Sequence, residues 1–323
     1  MITRRTFIKG ASMATLAATT SGISVRAGYA QPVPNSIGTA PPKLKAPANA
    51  CDCHHHIYDP ARFPMPPNPN PRRQPPSNGT VQDYRLLQKR IGTTRNVVVQ
   101  PRNYAIDNEV TIDALKQFAG NARGIVVIHP TITDAELKRF HDAGVRGIRF
   151  SLGDPASAVV KADMIEPLAK RIANFGWHIQ FNVDGEQIVE HEALLRRLPT
   201  PLVFDHLAHP PLPAGITYPS HAIVLSLIDK GRTWVKLSGA YSNTKIGPPT
   251  YSDATKIAQA FVKAAPERLV WGSDWPHPGL PDNNKPDDSV LFDLMTVWAP
   301  DEKIRNRILV QNPEALYGFP KTA

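Results

Sequence analysis

Beyond residue 80 the chain alternates short runs of β-branched and aromatic residues with longer stretches whose apolar positions recur every three or four residues. The runs RNVVVQ (95–100), RGIVVI (123–128), VRGIRF (145–150), WHIQFNV (177–183), PLVFDH (201–206), TWVKLS (233–238) and RLVWGS (268–273) have the length and composition of buried strands. ACDCHHHI at 50–57 makes an eighth. The helical period predicts helices near 81–91, 109–120, 134–143, 162–175, 186–198, 219–230, 253–264 and 288–298, with 301–317 as a C-terminal helical appendage. Alternating strands and helices build a parallel sheet. Eight of each fit a (β/α)8 barrel of the α/β class; an open doubly wound sheet is the alternative.

The two ends of this pattern divide the chain. TRRTFIKG at 3–10 has the form of a twin-arginine export signal, an Ala/Thr/Ser-rich apolar stretch follows to Val25, and GYA at 28–30 suits cleavage before Gln31. Residues 1–30 are therefore expected to be a signal peptide, 31–49 a Pro/Ala-rich linker, and 50–323 the barrel. The protein is expected in the periplasm or secreted, exported folded by the twin-arginine machinery. The apolar stretch is shorter than the roughly 20 residues of a membrane span, so no stable membrane anchor is expected. The segment 59–80, dense in Pro and Asn, reads as a loop after the first strand, and its Arg72 and Arg73 could lie over a pocket.

Charge narrows the partners. Removing the signal takes away Arg4, Arg5, Lys9 and Arg26 and no acid, which lowers the formal net charge from +9 to +5. No Lys/Arg stripe accompanies that charge, so a small anionic substrate is favoured over a nucleic acid. The only cysteines, Cys51 and Cys53, stand two apart on one strand, a poor spacing for a disulfide.

The chemistry sits where a barrel enzyme needs it. Reactive groups of such barrels gather at the C-terminal ends of the strands. His54 and His56 close strand one, Gln100 strand two, Arg149 strand four, Asn182 and Asp184 strand five, His206 strand six, and Asp274 follows strand eight. In a regular strand Asp52, His54 and His56 share one face, with Cys51, Cys53, His55 and Ile57 on the other. His54, His56 and Asp274, two imidazoles and a carboxylate, suit a borderline divalent ion, zinc foremost, with a coordination position left for water. Zinc-bound water reaches a pKa of about 7, and without a metal Asp274 can still serve as general base on water attacking a carbonyl. His206 is placed to polarise that carbonyl or its oxyanion. Tyr104 and Asn108 after strand two, and Trp275 and His277 beside Asp274, are candidate pocket walls and substrate contacts. His129 and His209 read as supporting residues.

The ordered set DCHHHI, VVVQPRNYAIDN, RGIRF, FDHLAHP, VKLSGAY and PERLVWGSDWPHP, spanning about 49–319, resembles the amidohydrolase superfamily. It is most similar to the amidohydrolase-2 branch, the group that holds pyrone-dicarboxylate hydrolases, sugar-acid lactonases and galactarolactone isomerases. The resemblance implies a distorted TIM barrel with His54, His56, His206 and Asp274 at the active centre, Asp274 activating water, and a metal that some members of the branch lack. It implies a substrate-binding role for Arg149, while His178, near the start of strand five, reads as structural. The chain departs from the pyrone-dicarboxylate pattern with GDPAS after Leu152, SNTK after Tyr241 and Arg102 after QP. A flat dicarboxylated pyrone would match these positions poorly. The opening loop resembles the galactarolactone isomerase subgroup, but the retained Asp52, His54, His56 and Asp274 favour hydrolysis.

The expected activity is opening of a carboxylated lactone, sugar-acid or aromatic-catabolic, by water. A lactone isomerase or decarboxylase on the same scaffold, and a non-catalytic periplasmic binding protein, are the alternatives.

Overall fold

All eight β-branched runs form parallel strands, joined in sequence order β1-β2-β3-β4-β5-β6-β7-β8. They are β1 (Cys51–His55), β2 (Arg95–Val99), β3 (Ala122–Val126), β4 (Val145–Ser151), β5 (His178–Asn182), β6 (Leu202–Phe204), β7 (Thr233–Leu237) and β8 (Leu269–Trp271). The computed structural model describes residues 31–66, 79–152 and 159–322. The signal at 1–30, Arg72 and Arg73, and the GDPAS segment lie outside the described residues. Beyond β8 the ring closes on β1 through Asp274 N to His54 O and His56 N to Trp275 O, each 2.8 Å. The structure is therefore a barrel, and not the open sheet that the same periodicity allows.

Helices fall between the strands as the apolar period requires: α1 (Val81–Ile91), α2 (Glu109–Gln117), α3 (Asp134–Asp142), α4 (Ile165–Ala173), α5 (Gly185–Glu190), α6 (Glu192–Arg197), α7 (Pro219–Asp229), α8 (Ser252–Ala264) and α9 (Asp288–Trp298). Capping boxes start three of them, Thr80 with Asp83 at α1, Thr133 with Glu136 at α3, and Asp184 with Gln187 at α5. Asp184, expected at a strand end facing the site, is thus a helix cap. The stretch predicted as one helix at 186–198 breaks at His191 into α5 and α6. The C-terminal appendage comprises α10 (Glu302–Asn306), a π turn (Arg307–Gln311) and α11 (Asn312–Tyr317). No helix among the described residues is long and apolar enough to cross a membrane.

Alternation along the strands divides two apolar layers. Cys51, Cys53, Val97, Val99, Ile125, Val203 and Val270 pack together, with Tyr317 and Phe319 of the C-terminal segment against them. The other faces join the helices in one large core. The Pro/Ala-rich segment 31–49, read as a linker, packs along the barrel: Leu44 N donates to Asp293, Ser289 Oγ to Ala40 O, and Trp275 Nε1 to Pro34 O.

Candidate active site

A register shift in the β1–β2 ladder between Asp52 and His55 changes the face expected for β1. A bulge adds one residue and re-aims the side chains that follow. Asp52 turns away from the two histidines to accept from Ser273 N (2.9 Å), Ser273 Oγ (2.6 Å) and Tyr84 Oη (2.9 Å). Its expected place on the histidine face is thereby corrected. Burial raises its carboxyl to about 6. His55 lies flat on Tyr84, ring centroids 3.6 Å apart, with Nε2 at 2.9 Å from Asn96 Oδ1.

His54 and His56 converge with Asp274. Their Nε2 atoms are 3.3 Å apart, and each lies 3.4 Å from Asp274 Oδ1. That oxygen is buried and has no hydrogen-bond partner. The other carboxylate oxygen accepts from Tyr241 Oη at 2.5 Å and faces His206 Nε2 at 3.7 Å. Each imidazole is steered from behind through Nδ1: His56 by Val99 O at 2.7 Å, His206 by Ser238 Oγ at 2.9 Å, and His54 by Lys236 Nζ at 3.3 Å, with Asp205 Oδ1, which has no hydrogen-bond partner, 3.2 Å away. Fixing one ring nitrogen aims the other.

Close approach dictates the glycines. A Cβ on Gly272 would fall 2.6 Å from His54 Cβ, and one on Gly239 would fall 2.8 Å from His206 Nδ1. Positive φ runs through His206, Leu207, Ala208 and His209, and recurs at Asp274 and His277. L-residues avoid that region, and such strain concentrates at functional sites.

Below the histidines lies a buried ionic group. Asp205 Oδ2 accepts from Arg149 Nε at 3.0 Å and Gln180 Nε2 at 3.1 Å. Lys236 Nζ donates to Gln180 Oε1 at 2.6 Å and Cys53 O at 2.9 Å, and stands 3.3 Å from His54 Nδ1. Burial lowers Lys236 to about 8. Burial, reinforced by Lys236, holds His54 well below the usual imidazole range. Burial opposes ionisation of Asp274, yet the imidazoles of His206, His56 and His54 keep its carboxyl well below the usual carboxylate range. Asp274 is therefore ionised at neutral pH.

The structure brings together His54, His56, His206 and Asp274 from the residues expected at the site. Arg149 lies beneath it, its Nε held by Asp205. Asn182 is half-buried at the end of β5, where it donates to Ser151 Oγ. The other candidates have partners in the surrounding framework. Gln100 bonds Asp107 O and Thr111 Oγ1, and Asn108 ties Ile106 O to both backbone atoms of Val127. Tyr104 Oη accepts from Asp59 N, Trp275 is fully buried, and His277 Nε2 pairs with Asp288 at 3.1 Å. His178 is buried against Tyr317, away from the cluster, and His209 holds Asn243. His129, expected as support, meets Thr131 at 2.9 Å. Sequence reasoning missed Asp205, Tyr241 and Lys236. A lysine inside the apolar run TWVKL and an acid beside a strand-end histidine were the available signals.

The Amidohydrolase family model matches residues 51–319. The chain belongs to the amidohydrolase family. It is 34% identical over 285 residues to the 2-pyrone-4,6-dicarboxylate hydrolase of Comamonas testosteroni, covering 85% of this chain and 92% of that protein. Identity is also 34% over 283 residues to the 4-sulfomuconolactone hydrolase of Rhizobium radiobacter, covering 87% and 93%. The D-galactarolactone isomerase of Agrobacterium fabrum is 32% identical over 286 residues, covering 87% and 94%. A ligand-free crystal structure from Agrobacterium tumefaciens superposes with a TM-score of 0.78 at 30% identity, over 87% of this chain and all of that one.

The donor set of this amidohydrolase fits a divalent ion. Three atoms 3.3–3.4 Å apart, two of them imidazole nitrogens and one an orphaned carboxylate oxygen, match the spacing of about 3.4 Å between ligands of tetrahedral zinc with bonds of ~2.1 Å.

Proposed function

We propose that this amidohydrolase opens a carboxylated lactone by adding water across its acyl carbon–oxygen bond. The observation that carries this reading is Asp274 Oδ1, an ionised, buried acceptor without a hydrogen-bond partner, flanked by the Nε2 atoms of His54 and His56. The family membership and the lactone hydrolases among its relatives support it. Asp274 takes a proton from a water, and the water oxygen attacks the lactone carbonyl carbon. His206 is held below the usual imidazole range chiefly by burial. With Ser238 donating to Nδ1, its Nε2–H faces the oxyanion. The acyl carbon–oxygen bond then breaks, and the departing alkoxide receives the proton held by Asp274. His54, His56 and Asp274 would hold a divalent ion, zinc by the chemistry of the donors, which when bound acidifies water and polarises the carbonyl. Arg149, through the positive charge it shares with Lys236 beneath the site, favours an anionic substrate.

The test is a pH-indicator screen over sugar-acid lactones, muconolactone and pyrone carboxylates, with product masses and chelator treatment. Acid release with a product heavier by one water is expected. An isomer of unchanged mass, loss of carbon dioxide, or no turnover on any lactone would overturn the reading. The twin-arginine motif supports export to the periplasm, which cell fractionation with and without residues 1–30 tests.

A further inference from the structure

His54 stands between two different kinds of partner, and that arrangement has a chemical meaning beyond holding the ring. His56 Nδ1 lies 2.7 Å from Val99 O, a group that only accepts, so the neutral ring carries its proton on Nδ1 and leaves Nε2 bare. Asp274 Oδ1 is likewise an acceptor. His54 Nε2, 3.3 and 3.4 Å from these two atoms, therefore faces a pair of lone pairs. Were it also bare, three acceptors would converge on one buried point with nothing to bind. The point demands either a proton on His54 Nε2 or a cation.

The opposite edge of the ring serves both cases. His54 Nδ1 is 3.2 Å from Asp205 Oδ1, which accepts only, and 3.3 Å from Lys236 Nζ, which donates only. Lys236 already donates to Cys53 O and Gln180 Oε1, so one of its three protons is left for His54 Nδ1 or for Asp205 Oδ1 at 3.7 Å. Asp205 Oδ2 is taken by Arg149 and Gln180, which leaves Oδ1 for the ring. We infer that Lys236 and Asp205 form a tautomer selector beneath His54, Lys236 favouring the form that does without metal and Asp205 the form that binds it. With Lys236 donating to Nδ1, the ring proton sits on Nε2 and points at Asp274 Oδ1. With the ring proton on Nδ1 and donated to Asp205, Nε2 is bare for an ion. No proton is gained or lost in the exchange; Lys236 and Asp205 are positioning residues.

The inference rests on the reading of His54, His56 and Asp274 as the active centre, but its test needs no substrate. In full-length protein labelled with 15N-histidine and stripped of metal, the His54 signals, assigned by their loss in His54→Gln, should show protonated Nε2 and bare Nδ1. Zinc should reverse the pattern. Zinc affinity measured by competition with a chelator should rise roughly 10- to 100-fold in Lys236→Met and fall by a similar factor in Asp205→Asn, the size typical for partners behind a metal-binding histidine. A protonated Nδ1 in metal-free wild type overturns the inference, as do shifts of the same sign in both variants or zinc uptake by neither wild type nor Lys236→Met. If either variant fails to fold, the wild-type tautomer decides alone. A lactone screen without turnover would sink the proposed activity and leave these outcomes untouched.

Discussion

The indole Nε1 of Trp275 donates to the carbonyl of Pro34 at 2.7 Å, which ties the residue next to Asp274 to the segment preceding the barrel. Ile37 N to Pro286 O, Asp288 N to Ser36 Oγ and Ser289 Oγ to Ala40 O extend the same attachment along α9. The segment therefore braces the loop that carries Asp274, the proposed base.

Trp275→Phe removes one buried donor and leaves the Pro34 carbonyl without a partner. A loss of about 1–3 kcal/mol in urea unfolding is expected. Deleting 31–46 should cost more and lower kcat. An unchanged urea midpoint in both variants would show that the attachment contributes nothing.

Asp274→Asn keeps the volume of the side chain and removes the proton acceptor. Hydrolysis should fall by about 10²- to 10⁴-fold, the usual worth of a positioned general base. Thermal unfolding reports whether the fold is kept. Full turnover in the variant would place the base elsewhere.

Gly239 combines a φ of +62° with a Cβ position 2.8 Å from His206 Nδ1. Gly239→Ala should destabilise by roughly 1–2 kcal/mol, as expected where a left-handed backbone receives a side chain. It should also displace His206 and lower kcat. Ser238→Ala leaves the backbone alone and removes only the hydroxyl at His206 Nδ1, so it should reduce kcat with little loss of stability. Equal stability losses in the two variants would contradict this division.

The barrel was legible because each strand and helix carries its own period, and boundaries moved by only a few residues. β4, expected at 145–150, runs Val145–Ser151, and α9, expected at 288–298, is Asp288–Trp298. His54, His56, His206 and Asp274 were legible because strand ends are fixed by the same periods. Asp52 was not, since a register shift breaks strict alternation and leaves no mark in CDCHHH. The framework partners of Gln100 and Asn108 were hidden for a related reason. A polar residue at a strand end can satisfy loop backbone as readily as substrate, and the partners at Asp107 O and Val127 leave no sign in the sequence. Lys236 was hidden inside an apolar run because its partners Gln180 and Asp205 come from β5 and the end of β6, far away in sequence.

Acid should unfold the protein early, and the buried histidines set where. Burial lowers His55, His178 and His209 to about 3 each, against about 6.5 when unfolded. As pH falls from 6.5 toward 3 the unfolded chain takes up these protons and the folded chain does not, so stability present above pH 6.5 is lost through that window. Each group contributes a slope of about 1.4 kcal/mol per pH unit in mid-window. Asp52 acts in the opposite sense. Its folded value of about 6 exceeds its ordinary value of 3.8, so protonating it stabilises the fold as pH falls from 6 to 3.8. Among these four groups two net protons remain, or about 3 kcal/mol per pH unit, and His54 and His206, also lowered by burial, act in the same direction, against a total stability typically of about 5–15 kcal/mol. Urea midpoints measured between pH 7 and 4.5 should therefore drop steeply below pH 6, and His178→Gln should flatten the slope by about one proton. A midpoint constant across that range would mean that these histidines are protonated in the folded state.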